Sequence, residues 1–130
     1  MTFSKFSAFK FSSYLAYLLP LAAALYWSLW TTVLVVAVVV AVGFLYHWYD
    51  EKQFLAADAC AVVLIVIWNF YLCYAGNFQE PYFVIALLLT VSAFYFFLRK
   101  QTPQSYNFNH GWWHLLGALI TLACIFTSVL

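Results

Sequence analysis

Three histidines and one aspartate are the residues of this sequence whose types and spacing suit chemistry. His110 and His114 are four residues apart, so on a helix both side chains project from one face and can share a metal ion. Together with His47 they make a three-histidine set, which leaves the fourth position of a tetrahedral Zn²⁺ open to water, as in catalytic zinc sites. Zinc lowers the pKa of such a water to about 7, and Asp58 is the candidate base that takes its proton and passes it to a leaving amine.

The same residues also have interpretations without catalysis. His47 alone suits a structural residue at a membrane interface, and the spacing of His110 and His114 also occurs on ordinary helix surfaces. Asp58 suits the start of a helix, where the helix dipole favours negative charge. Haem held between His47 and one of the later histidines is a further alternative, although it leaves one of the two adjacent histidines unused. The grouping of all four residues at one predicted depth favours the zinc site.

The composition indicates the class of protein that must position these residues. Of 130 residues, 68% are hydrophobic and 7% are charged, whereas about a quarter of the residues of a soluble domain are charged. This balance excludes an ordinary soluble domain, a disordered chain and a disulfide-stapled scaffold. A net charge of +1 without a basic run makes nucleic acid an unexpected partner. The chain is predicted to be an all-α, polytopic membrane helical bundle in the lipid bilayer.

Five transmembrane helices fit the pattern of apolar stretches and breaks. Residues 11–49 contain no Asp, Glu, Lys or Arg, yet one helix of that length is far too long for a ~30 Å hydrocarbon core, so a hairpin must turn near Trp27–Thr32. Pro20 is expected to kink the first helix, and Pro81 suits the opening of the fourth. The predicted spans of this single domain, residues 1–130, are about 12–29, 32–48, 54–74, 81–98 and 110–130.

The distribution of charge predicts the orientation of the bundle. With five spans, one side of the membrane holds every lysine and arginine, namely Lys5, Lys10, Lys52, Arg99 and Lys100. The positive-inside rule then places the N-terminus and the candidate site on the cytoplasmic side and the C-terminus on the opposite side. The first apolar stretch is expected to be a retained span rather than a cleaved signal peptide.

Two separated motifs resemble those of a known family. The segment Phe108–Leu116, with the sequence Phe-Asn-His-Gly-Trp-Trp-His-Leu-Leu, is similar to the last-helix motif of the alkaline ceramidases. These enzymes belong to the CREST superfamily of membrane hydrolases. The run Tyr46-His47, followed by Gln53 and Asp58, resembles the family pattern on helices two and three.

The resemblance implies a reduced form of a seven-helix fold and a zinc-dependent lipid amidase. Zinc would lie on His47, His110 and His114, and Asp58 would assist the zinc-activated water. The substrate would be an amide-linked, ceramide-like membrane lipid, cleaved to a fatty acid and an amine.

The chain departs from the family at three points. It has about five helices instead of seven, a loss that would open the lipid cavity and leave apolar faces for a homo-oligomer. Gly43 stands where the family has a serine that helps to stabilise the oxyanion. The acidic N-terminal calcium pattern is absent from Met1–Ser13, so no calcium is predicted. A non-catalytic zinc-bearing membrane scaffold or complex subunit is therefore the alternative to the hydrolase.

Other residues within the spans are expected to serve packing. Asn69 is expected to hydrogen-bond across the bundle rather than to catalyse. The small residues Gly117, Ala118 and Thr121 suit either close helix packing or a slot for an acyl chain. The cysteines are expected to be small apolar core residues and not disulfide or metal partners, and they are Cys60, Cys73 and Cys124.

Overall fold

The computed structural model describes residues 15–49, 52–99 and 106–130. These contain five helices and no strand, which confirms the all-α prediction and the number of helices. The helices are α1 (Leu18–Tyr26), α2 (Trp30–Tyr49), α3 (Lys52–Ala75), α4 (Tyr82–Leu98) and α5 (Tyr106–Val129).

The first and last helices differ from the sequence prediction by three residues or more at one end or both. The last helix begins at Tyr106 instead of His110, because Asn109 is buried within its first turns and not solvated in a loop. Helix α1, Leu18–Tyr26, is shorter than the predicted span of about 12–29, and Pro20 lies in its first turn instead of kinking a longer helix. The N–H groups of a first turn have no acceptor within the helix, so proline costs no hydrogen bond there.

The predicted breaks after α1 and α3 are Schellman turns. At the end of α1, Leu29 N–H donates to the Ala24 carbonyl at 2.8 Å, and Ser28 takes the left-handed conformation with a φ of 56°. At the end of α3, Phe78 N–H donates to the Cys73 carbonyl at 2.8 Å, again across a residue with a positive φ. These bonds satisfy carbonyls that a helix end leaves without partners, and they reverse the chain within a few residues.

The last helix, α5, is the centre of the bundle, because α1, α3 and α4 all pack against it. Helix α3 runs parallel to α5, and two side-chain hydrogen bonds join them, from Asn69 to Thr121 and from Cys73 to Cys124. Helix α2 runs antiparallel to α3, and Thr32 near its start accepts a hydrogen bond from Trp68 at 2.9 Å. Among the described residues, α3 and α4 make few contacts with each other, although both contact α5.

Gly76 allows a close approach of the ends of α3 and α5. A Cβ at this position would overlap the backbone carbonyl of Thr127 and lie 2.9 Å from the Cα of Ser128. Real Cβ atoms do not make such contacts, so the end of α3 can pack against the end of α5 only through glycine.

The outer surface of the bundle is strongly apolar. Large side chains point outward on every helix, and Val91 and Leu98 on α4 are 70% and 74% exposed. Within the described residues, one helical segment, Phe108–Val129, is both long and apolar enough to cross a membrane. Three other apolar helical stretches are shorter, namely Trp30–Leu45, Ala59–Ala75 and Tyr82–Leu98. The five-span topology and its orientation therefore stay predictions.

Candidate functional site

His110 and His114 lie side by side near the start of α5. Their ring centroids are 4.4 Å apart and their planes are nearly perpendicular, at 85°. His114 is buried, with 8% of its surface exposed, and His110 is half-buried. The predicted sharing of one helix face by these two residues is confirmed. Two imidazoles, each with a nitrogen that can bind a metal, are thus brought to one place.

Aromatic contacts with α4 fix the rotation of this part of α5. Trp112 stacks on Phe96 with ring planes 13° apart, and Trp113 packs against Phe97 with ring centroids 4.9 Å apart. Such pairs stabilise a fold by about 0.5–1.5 kcal/mol beyond the apolar area that they bury. Because the tryptophans hold one side of α5 against α4, the side of α5 that carries His114 is turned away from these contacts and toward the inside of the bundle.

Both histidines line a cavity of about 280 Å³. This volume is just below the range of ordinary small-ligand pockets, roughly 300–1,000 Å³. Most of its wall is aliphatic or aromatic, and no lysine, arginine, aspartate or glutamate is among the described residues that line it. The cavity can therefore hold an apolar chain beside two imidazoles.

The cavity reaches the apolar outer surface between α3 and α4. Four of its lining residues are also well exposed on the outside: Val66 and Phe70 on α3, and Leu87 and Phe94 on α4. The opening follows from the packing, because both helices contact α5 but make few contacts with each other. An apolar ligand can enter through this gap from the side of the bundle.

A hydrogen bond to the buried Thr121 holds Asn69, a polar residue of the cavity wall, in place. Thr121 Oγ1 donates to the Gly117 carbonyl at 3.2 Å, so its hydroxyl proton is already committed. The same oxygen accepts a hydrogen bond from Nδ2 of Asn69 at 3.1 Å. The predicted cross-bundle hydrogen bond of Asn69 is confirmed, and the bond direction fixes which way its amide is turned.

Tyr17 is a cavity residue that the sequence analysis did not identify. It precedes α1, is 7% exposed and lines the same cavity as His110 and His114. Its hydroxyl sits against Gly117, where an added Cβ would lie 2.9 Å from the phenol oxygen. No local pattern in the sequence indicates this, since the contact depends on how α1 packs against α5.

The small residues of α5 serve close packing of the helices more than they form a slot for an acyl chain. Ala118 is fully buried in a core cluster with Val36 and Ile65, and the space over Gly117 is taken by Tyr17. The prediction that the cysteines are buried core residues is confirmed for two of them and wrong for the third. Cys73 and Cys124 are buried, whereas Cys60 is exposed on the surface of α3.

His47 and Asp58 are helical residues whose side chains lie outside the described part of the structure. Helices α3 and α5 run in parallel with paired residues 51 to 52 positions apart, and this offset puts the Asp58 backbone level with His110. Helices α2 and α3 are antiparallel, and Thr32 pairs with Trp68. This pairing puts the His47 backbone about 7 Å closer to the connection between α2 and α3 than the level of Asp58 and His110.

The side chains that the structure describes include no group of three or more metal-binding residues. The side chains of His47 and Asp58 are not among those described. The zinc site thus stays a prediction, of which the described structure contains the His110 and His114 pair.

Comparison with known proteins gives no match: no protein-family model, curated protein or solved structure is significantly similar to the chain.

Proposed function

We propose that this chain is a zinc-dependent integral-membrane hydrolase that cleaves the amide bond of a ceramide-like lipid. The observation that carries the proposal is the placement of His110 and His114, 4.4 Å apart, in the wall of an apolar cavity. Imidazoles beside an apolar cavity combine ligands for a metal with room for a hydrocarbon chain. The motif resemblance to the alkaline ceramidases agrees with this combination.

The apolar surface supports a location within the bilayer. Side chains such as Ile67, Leu88 and Leu98 are more than 60% exposed, and a protein in water rarely exposes large contiguous apolar areas. A multi-pass bundle with its N-terminus and its site on the cytoplasmic side fits the charge distribution. In that setting the gap between α3 and α4 faces lipid, so a membrane lipid can enter the cavity without crossing water.

The donor set fits zinc. His110 and His114 offer two imidazoles from one helix turn, and His47, on the helix that packs against α3, would supply the third. Zinc prefers such nitrogen ligands and, when bound, lowers the pKa of a coordinated water and polarises a carbonyl group.

The remaining steps belong to the side chains around the histidines. Asp58 would take a proton from the attacking water and deliver it to the amine as the amide bond breaks. The phenol of Tyr17 would donate a hydrogen bond to the carbonyl oxygen as negative charge develops on it, in place of the serine hydroxyl that is absent at Gly43. The aliphatic walls would bind the acyl chain and exclude water.

A second candidate is a zinc-bearing membrane scaffold or complex subunit without catalysis. Gly43 favours this candidate, because glycine offers no side-chain donor for an oxyanion. Such a protein would bind zinc through the same histidines, but it would not release a fatty acid.

The Asp58→Asn variant separates the two candidates. We expect it to retain zinc and to lower the rate of fatty-acid release from a labelled lipid amide by roughly 10²–10⁴-fold, the range for loss of a general base. The matched control is Glu80→Gln, which neutralises a carboxylate just before α4 and should leave the rate unchanged. No turnover by the wild-type chain on a panel of lipid amides, with zinc bound, would favour the scaffold.

A further inference from the structure

Cys73 and Cys124 form a pair of thiols that bridges α3 and α5. The Sγ atom of Cys73 donates a hydrogen bond to Sγ of Cys124 at 3.4 Å, and the two residues are 51 positions apart in the sequence. Both side chains are buried, with 4% and 3% of their surfaces exposed. The third cysteine, Cys60, is exposed and belongs to no such pair among the described residues.

The pair also lines the cavity. Cys73 and Cys124 both contribute to its wall, together with apolar neighbours such as Phe83 and Ala86 on α4. Cys124 lies ten residues beyond His114 on α5, which is about 15 Å along the helix axis. The thiols therefore lie toward the opposite end of the cavity from the histidines, and a small molecule that enters the cavity can reach them.

The surroundings select the kind of reagent that can oxidise this pair. The apolar and buried surroundings exclude charged or bulky oxidants, whereas a small uncharged oxidant can share the cavity with the thiols. A disulfide needs the two sulfur atoms to come from 3.4 Å to about 2 Å, a small movement for two side chains already in contact.

We propose that Cys73 and Cys124 are a modification site that forms an intramolecular disulfide when a small, uncharged two-electron oxidant enters the cavity. Two S–H bonds break and one S–S bond forms. With a neutral diazene as the oxidant, the two protons and two electrons convert its N=N double bond to the corresponding hydrazine. The product is a covalent link between α3 and α5 in the cavity wall. This site is independent of the histidines, so it does not rest on the proposed hydrolase activity.

The test uses the full chain in detergent with Cys60→Ser, so that only the two cavity thiols remain. After treatment with the neutral diazene diamide, removal of excess reagent and denaturation, we expect a mass lower by two hydrogens and the loss of both alkylation sites. Proteolysis should give one cross-linked peptide that contains Cys73 and Cys124, and a thiol reductant should restore both alkylation sites.

The double variant Cys60→Ser/Cys73→Ser is the control and should give no internal cross-link. Two alkylated thiols after diamide treatment of the folded Cys60→Ser chain would overturn the proposal. A disulfide that joins two chains instead of the two cysteines of one chain would also overturn it.

Discussion

Both ends of the cavity lie beside α5, but different contacts hold the neighbouring helices against α5 at each end. At the histidine end, bulky aromatic rings of α4 and α5 pack against each other, with Trp112 stacked on Phe96. At the cysteine end, backbone approaches backbone, because Gly76 lets the end of α3 lie directly on Thr127. Ring contacts leave room for functional side chains between the helices, whereas the backbone contact at Gly76 leaves no room for a side chain at that position. The first end is thus suited to holding a metal and a substrate, whereas close helix contact beside the cysteine pair holds α3 and α5 together at the second.

This difference predicts that substitutions at the histidine end change turnover more than stability. Among the variants that compare the two ends, the largest expected effect is that of Tyr17→Phe, which removes the phenol proposed to stabilise the oxyanion. We expect kcat to fall by roughly 10²–10³-fold, the usual loss for one oxyanion donor, with little change in KM. The measurement is steady-state release of fatty acid from a labelled lipid amide. Tyr82→Phe, which removes a phenol near Phe126 at the other end of α5, is the matched control and should retain the wild-type kcat. Equal losses in both variants would contradict the assignment.

Substitutions at the cysteine end should change stability instead. Gly76→Ala places a methyl group against the Thr127 carbonyl, which cannot move without shifting the end of α5. We expect the free energy of unfolding to fall by about 1–3 kcal/mol, as for other overpacked sites. Thermal unfolding in detergent, followed by circular dichroism, measures this loss.

Gly117→Ala is the comparison for Gly76→Ala, because its new methyl group meets the end of the Tyr17 side chain rather than backbone. A side chain can rotate away, so the loss of stability should be smaller. A greater loss for Gly117→Ala would show that the difference between the two ends is wrong.

The smallest effect is expected midway between the two ends, at the hydrogen bond of Asn69 to Thr121. A double-mutant cycle with Asn69→Leu and Thr121→Val should give a coupling free energy of about 0.6 kcal/mol, the average for such bonds between membrane helices. Unfolding measurements on the four proteins of the cycle give this value. A coupling near zero would mean that the bond seen at 3.1 Å adds nothing to stability.

Local sequence signals predicted the features that depend on local structure. The apolar stretches and their polar breaks indicated five helices, and Pro81 marked the residue before α4. The spacing of His110 and His114 predicted their shared face, since that spacing alone decides which way both side chains project from a helix.

Features that depend on packing could not be predicted in the same way. The helices are apolar on most faces, so the sequence pattern does not indicate which side of each one meets its neighbours. For that reason the contact of Cys73 with Cys124 and the position of Tyr17 beside Gly117 were both missed. The same limit applies to His47, whose partners depend on how α2 is rotated about its own axis.

Metal content tests the central claim most directly. Elemental analysis of the purified chain, supplied with zinc and then dialysed, should find about one zinc ion per chain. The His114→Ala variant, checked by circular dichroism to be folded, should lose this zinc, and Asn69→Ala should keep it as the control. Absence of zinc from the wild-type chain under these conditions would contradict the account, because His110 and His114 would then be structural residues of the cavity wall.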